Sequence, residues 1–251
     1  MQQIIINADD FGWKASVNQA IVEAFDRGWI NSTTIMANMP GFEHAVELAH
    51  KHRLQHKIGV HLVITEGQPL TGIVRDMPFL FNGKRHLKNL FLLDKTQRAL
   101  VYQEMAAQIE RVRACGLPIT HLDTHHQIHD VWSIAQIMIR LLRAYEIPAM
   151  RILNNLEKLS LPKNWYRNAV NRYLVAKGVH HTRFFGSRVD YLNQLKRDAS
   201  LLQTGEQIEI MVHPDYNEDG DLIDRLNGKT YSLDFLTIDT NNSPVINTAI
   251  T

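Results

Sequence analysis

Ile4-Ile5-Ile6-Asn7-Ala8-Asp9-Asp10 opens on three β-branched apolar residues and closes on two adjacent carboxylates. The isoleucines read as a short buried strand that ends at Asn7. Working outward, residues 16–28 carry Val17, Ile21, Ala24 and Phe25 at spacings of three and four, which predicts a helix with a glycine stop. The alternation then repeats. Residues 32–36, 58–64, 119–123, 149–152 and 209–212 read as strands, and 42–50, 96–115 and 133–145 as helices. Strand followed by helix, several times over, predicts βα units around a parallel sheet. In a chain of this length that is an α/β single domain spanning residues 1–251, built as a (β/α) barrel variant, with a doubly wound open sheet as the competing arrangement. Residues 67–95 and 215–232 are rich in Gly, Asn and Asp and read as long loops, and the tail from about 239 to 251 reads as poorly ordered.

Composition excludes several classes. The chain has 251 residues, with 27 Lys+Arg against 26 Asp+Glu, a formal charge of +1 and 45% hydrophobic residues. That apolar content supports a packed core, and the balanced charge gives no electrostatic reason for a nucleic-acid partner. One cysteine rules out a disulfide framework or a Cys-rich zinc module. The run Ile4-Ile5-Ile6 is too short for a signal-peptide core, and no stretch approaches a membrane span, so the expected location is cytoplasmic with no membrane partner. No GxGxxG follows the first strand and no GxxxxGK[ST] occurs, so nucleotide-binding folds lose support.

The thirteen histidines are the informative residues, because of where six of them fall. His61 interrupts the apolar run 58–64. His121, His125, His126 and His129 crowd into nine residues around Asp123. His213 follows the strand 209–212 and precedes Pro214. In a (β/α) barrel the C-terminal strand ends converge on one mouth, so these groups and Asp9-Asp10 become neighbours. Imidazole with carboxylate is the usual ligand set for Zn²⁺, Mn²⁺ or Co²⁺ and can also hold Mg²⁺. Adjacent side chains on a strand face opposite ways, so one of Asp9 and Asp10 can take a metal while the other, after a local turn, meets a substrate water. The bland alternative is a loop-opening pair with Asp10 capping the helix near Lys14. Likewise His61 reads either as a ligand or as a core histidine bonded to a carbonyl, and His213 either as a general acid or base or as a loop histidine.

Taken in order, Asn7-Ala8-Asp9-Asp10-Phe11-Gly12, Ser32-Thr33-Thr34, Gly59-Val60-His61-Leu62, Thr120-His121-Leu122-Asp123-Thr124-His125-His126-Gln127-Ile128-His129 and His213-Pro214 resemble the YdjC-like carbohydrate deacetylases, which include the chitooligosaccharide deacetylases. The resemblance runs from about residue 3 to about residue 237. It implies a distorted TIM-like barrel and hydrolysis of the N-acetyl group of an N-acetylglucosamine-containing sugar, such as chitobiose or a chitooligosaccharide. It also implies one divalent metal, Mg²⁺ by family usage, with Zn²⁺, Mn²⁺ or Co²⁺ as alternatives. The matching ligand positions are Asp10, His61 and His125. Analogy with the polysaccharide deacetylases makes Asp9 the base. His213 then serves as acid, while Arg151, His126 and His129 are expected to contact substrate, with Arg151 also able to hold Asp9 ionised. The expected partners are a small carbohydrate and a second copy in a homodimer. Two further readings compete: a glycoside hydrolase using Asp9 or Asp10 with Asp123, and an inactive sugar-binding protein on the same scaffold. The chain departs from the family at Gln127, where a histidine is usual, and at Lys229, which stands in for an arginine.

Overall fold

The computed structural model describes residues 4–198, 200, 205–226 and 229–233; the tail expected to be poorly ordered lies outside them. Seven parallel strands form the main sheet: β1 (Ile4–Phe11), β2 (Ser32–Ile35), β3 (Ile58–Leu62), β4 (His121–Thr124), β5 (Ala149–Met150), β6 (Phe184–Ser187) and β7 (Ile208–Val212). Their order is β5-β4-β3-β2-β1-β7-β6. The two edges are tied by irregular backbone: the Met150 N–H donates to His180 O (3.1 Å) and the Asn155 N–H to Phe185 O (3.0 Å). The sheet is therefore curled almost closed, as the barrel reading expected, and is not an open doubly wound sheet. Helices α1 (Ala15–Asp26), α2 (Phe42–Lys51), α3 (Leu87–Phe91), α4 (Lys95–Ala114), α5 (Trp132–Ala144), α6 (Leu161–Ala176) and α7 (Arg188–Arg197) cover its outside.

The periodic segments fold as read. The buried residues of α1 include Val17, Ile21 and Ala24, on the stripe predicted from spacing. Helix α4 starts at a capping box in which Asp94 accepts from the Gln97 N–H and Gln97 reaches back to Asp94. Two of its buried polar residues then anchor the chain beyond β3. Gln108 accepts from the Val63 N–H (2.9 Å) and donates to Val63 O (2.6 Å), and Glu104 accepts from the Leu70 and Thr71 N–H groups. These bonds satisfy backbone that leaves the sheet and would otherwise be buried without partners.

Four features differ from the sequence reading, one of them the short helix α3 inside 67–95, a stretch read as loop. Helix α6, strand β6 and helix α7 lie in a stretch with no clear period: α6 buries only Arg167, Val170 and Leu174 of its sixteen residues, so its apolar stripe is thin. The described residues of 215–232 are mostly strand, where a loop was expected. They form a three-stranded antiparallel sheet of β8 (Pro214–Tyr216), β9 (Leu222–Leu226) and β10 (Lys229–Ser232), whose polar turn residues hid the pairing. Strand β1 continues past Asn7 to Phe11, which pairs with Ile35 across an irregularity in register between Ala8 and Phe11. Among the described residues no helix is long and apolar enough to cross a membrane.

Gly59 shows how tightly β3 and β4 approach. A Cβ there would lie 2.7 Å from the His121 carbonyl oxygen and 2.6 Å from its ring. Gly59→Ala is expected to destabilise the fold by about 1–3 kcal/mol through overpacking, read as a lowered Tm and a lowered urea midpoint with unchanged m-value.

Candidate metal centre

The site begins with register. In the β3–β4 ladder His61 stands opposite Asp123, and in the β1–β7 ladder Ala8 stands opposite Val212. The carboxylates after Ala8 thus reach the mouth beside His213, which follows Val212. Asp10 takes a left-handed backbone (φ 71°) unusual for a residue with a Cβ. That kink, with the register shift around it, lets both consecutive carboxylates turn inward, as a bulge does. Asp10 does not cap α1; its N-cap is Lys14, which makes no side-chain cap.

Asp9 turns into the barrel. The Arg151 guanidinium grips it bidentately, with Nη1 2.8 Å from Oδ2 and Nη2 2.7 Å from Oδ1, and Asn7 donates to Oδ1 at 2.8 Å. Arg151 also meets Asp123 Oδ2 (2.7 Å) and Glu209 Oε1 (2.6 Å), and its side chain is 0% exposed. Burial disfavours the guanidinium charge, yet the carboxylates of Asp123, Asp9 and Glu209 raise its pKa well above the ordinary value. Glu209, the third partner, is pushed up to about 7 by burial, against the pull of Arg151. Asp123 in turn accepts from Thr34 Oγ1 (3.0 Å) and lies 2.7 Å from His61 Nδ1.

Asp10 faces the imidazoles instead of the guanidinium. Its Oδ1 lies 3.3 Å from His61 Nε2 and 3.1 Å from His125 Nδ1, and those two nitrogens are 3.3 Å apart. Donor atoms roughly 2.0–2.1 Å from a shared cation stand about 3.0 Å apart at octahedral angles and about 3.4 Å apart at tetrahedral ones. The observed triangle falls in that range. Asp10 Oδ1 is buried and aligned for a hydrogen bond with neither imidazole, so the three atoms aim at a common point between them. Burial acts against the Asp10 charge, but His125 and His61 hold its carboxyl well below the usual range. Burial likewise opposes charge on the imidazoles, yet Asp123 and Asp10 raise His61 to about 10, and Asp10 and Glu66 raise His125 to about 9. The cluster is built to hold positive charge, and its donor set fits a divalent cation.

A cavity of about 560 Å³ opens over this point, lined by Asp9, His61, His125, His126 and His213 and also by Asn154, Asp190, Lys229 and Tyr231. His126 stacks on His125 with ring centres 4.0 Å apart and meets Thr65 Oγ1 through Nδ1 (3.0 Å). Burial and the neighbouring His125 push it down to about 4, so it faces the cavity as a neutral ring. The His213 N–H donates to Asp224 Oδ1 (2.8 Å), and its buried Nδ1 has no hydrogen-bond partner among the described residues.

Two expected substrate contacts do not reach the cavity wall. His129 is fully buried, with Nδ1 2.6 Å from Thr124 Oγ1 and Nε2 3.4 Å from Ile152 O, so it braces the loop after β4. Arg151 is spent on three carboxylates beneath the cavity floor, which leaves its role of holding Asp9. Sequence reasoning missed Glu66, Glu209 and Asp224. Glu209 had a signal, as a charged residue inside an apolar strand; Asp224 lay in a stretch read as loop.

A family model described as YdjC-like protein matches residues 3–240. The chain belongs to the YdjC-like family. A carbohydrate deacetylase from Brevibacillus brevis is 34% identical over 217 residues, which covers 85% of this chain and 82% of that one. Another from Geobacillus stearothermophilus is 34% identical over 216 residues, covering 84% and 79%. Among solved structures, a protein from Enterococcus faecalis provisionally described as a cellobiose-phosphate cleavage protein superposes with a TM-score of 0.63 at 25% identity, covering 87% of this chain and 83% of that one.

Removing Arg151 leaves three buried carboxylates without their cation. Arg151→Met is expected to cost about 3–5 kcal/mol in urea denaturation. The exposed pair Arg111–Glu43 provides the contrast: Arg111→Met should change stability by less than about 1 kcal/mol.

Proposed function

We propose that this protein is a metal-dependent carbohydrate deacetylase that releases acetate from an N-acetylglucosamine-containing sugar, with chitobiose or a short chitooligosaccharide as the substrate class. The observation that carries the reading is the convergence of Asp10, His61 and His125 on one point at the floor of a cavity. Membership of a family whose relatives include carbohydrate deacetylases supports the same chemistry.

A divalent cation bound there supplies a Lewis acid for the acetyl carbonyl and a lowered pKa for the attacking water. The chain's own residues do the rest. Asp10, His61 and His125 hold the cation. Asp9, one residue before Asp10 and on the cavity wall, takes the water's proton, and Arg151 and Asn7 fix its orientation from below. His213, which also lines the cavity, gives a proton to the departing sugar amine. His126 offers a neutral ring to a substrate polar group. Substrate enters over Asn154, Asp190, Lys229 and Tyr231, whose mixture of amide, carboxylate, amine and aromatic groups suits a hydroxylated ring.

Glycoside hydrolysis by a carboxylate pair fits less well. Asp123 is fully buried and bound to Arg151 and His61, so it has no access to a glycosidic oxygen. Released acetate, rather than a cleaved glycosidic bond, is the expected product.

Asp9→Asn should keep one equivalent of metal and lower kcat by about 10²- to 10⁴-fold. His61→Ala should lose both metal and turnover. Metal content by elemental analysis, with acetate release from N-acetylated mono- and oligosaccharides under added Mg²⁺, Zn²⁺, Mn²⁺ or Co²⁺, checks both. Near-wild-type turnover in Asp9→Asn would remove Asp9 from the base role.

A further inference from the structure

His61 and His125 face the common point through different nitrogens. His61 presents Nε2, because Asp123 lies on Nδ1 at 2.7 Å. His125 presents Nδ1, and its Nε2 lies 2.7 Å from Glu66 Oε1, an ion-pair contact that is not aligned as a hydrogen bond. A carboxylate beside one imidazole nitrogen favours the proton on that nitrogen, which leaves the other nitrogen's lone pair for a cation. We infer that Glu66 is the positioning residue that sets His125 to bind metal through Nδ1. This rests on the reading of Asp10, His61 and His125 as a cation site.

The geometry makes Glu66 a placed partner rather than a drifting rim acid. Its carbonyl accepts from Asn38 Nδ2 (2.9 Å), and the Asn38 carbonyl accepts from the Gln68 N–H (3.1 Å). On one side Thr65 O accepts from the Gly83 N–H (2.7 Å). On the other, Gly67 has φ +80°, and a Cβ there would meet Met39 Sδ at 2.5 Å and Asn38 O at 2.9 Å. The segment after β3 is thus pressed onto the chain that follows β2, with Glu66 pointing at His125. His125 needs such a brace. The residues after it, His126 and Gln127, have left-handed φ values of 56° and 50°, so its own backbone leaves the sheet at once.

The two imidazoles are backed unequally. Asp123 is sealed under the floor by Arg151 and Thr34. Glu66 is only half-buried and belongs to a connecting segment. His125 is therefore the ligand whose orientation is set from the rim, and Glu66 controls how tightly the site keeps its cation.

The test is Zn²⁺ affinity of the full chain, measured by chelator competition, beside the Tm of the metal-free protein. Glu66→Ala is expected to weaken Zn²⁺ binding by about 10- to 100-fold. Glu66→Leu, which fills the space without an acceptor, should do the same and decides the matter if the alanine variant folds poorly. Glu66→Gln keeps an acceptor oxygen and should recover part of the loss. Wild-type affinity in Glu66→Ala or Glu66→Leu overturns the assignment, including when the metal-free Tm falls, because that pattern marks a purely structural contact. A wild-type protein that takes up no Zn²⁺, Mg²⁺, Mn²⁺ or Co²⁺ would instead overturn the cation site itself. The two failures are distinguishable.

Discussion

A single guanidinium inside the barrel sets most of the geometry above it. Arg151, just beyond β5, binds carboxylates from β1, β4 and β7, strands far apart in the chain, and rests against the Phe185 ring with its Cζ 4.7 Å from the ring centre. Taking such ions out of water is expensive, and their attraction repays the cost only when every partner is well placed. The cluster is therefore weak evidence for stability and strong evidence for position. Asp9 is held by it directly. Asp123 is held by it and in turn orients His61, so one candidate base and one candidate ligand take their orientation from the same cation.

The other half of the site depends on backbone that breaks the strand rule. Consecutive strand residues face opposite sides, which would send one of Asp9 and Asp10 away from the mouth. The positive φ at Asp10 and the shift in register beside it bring both inward. A left-handed non-glycine residue costs of order 1–3 kcal/mol. The charge pairing on each side offsets that strain: Arg151 with Asp9, and the imidazoles of His61 and His125 with Asp10. His126 and Gln127 repeat the left-handed backbone after β4, beside the ligand His125.

How much of this was legible in the chain varied with the kind of signal. Strands β1, β3 and β7 announced themselves because buried parallel strands are rich in apolar runs. Helix α6 did not, since its outward face carries Leu161 and Trp165 exposed and its inward stripe is thin. The small antiparallel sheet was hidden by Asn217, Asp219 and Gly220, whose turn character outweighed the short strands beside them. Within the site, the Asp9-Asp10 pair, His61 and the histidines of 121–129 could be singled out from residue type and from the convergence of strand ends, and the family resemblance narrowed them to Asp10, His61 and His125. His129 and Arg151 could be singled out as polar, but whether they faced the cavity or the core could not, because burial depends on what packs across from them.

Residue order alone determined the α/β class, the family resemblance and the Asp and His candidates for the mouth, because apolar periodicity and strand-end position are local properties. Only the tertiary structure decided which carboxylate serves which partner. Asp9 and Asp10 are chemically identical neighbours, and a kink of one residue separates the Arg151 partner from the imidazole partner. His61 and His125 are likewise one residue type, and the carboxylate behind each, Asp123 or Glu66, selects the nitrogen that faces the cation site. Those assignments rest on contacts between segments as much as 142 residues apart, at distances of about 3 Å that only folding brings about.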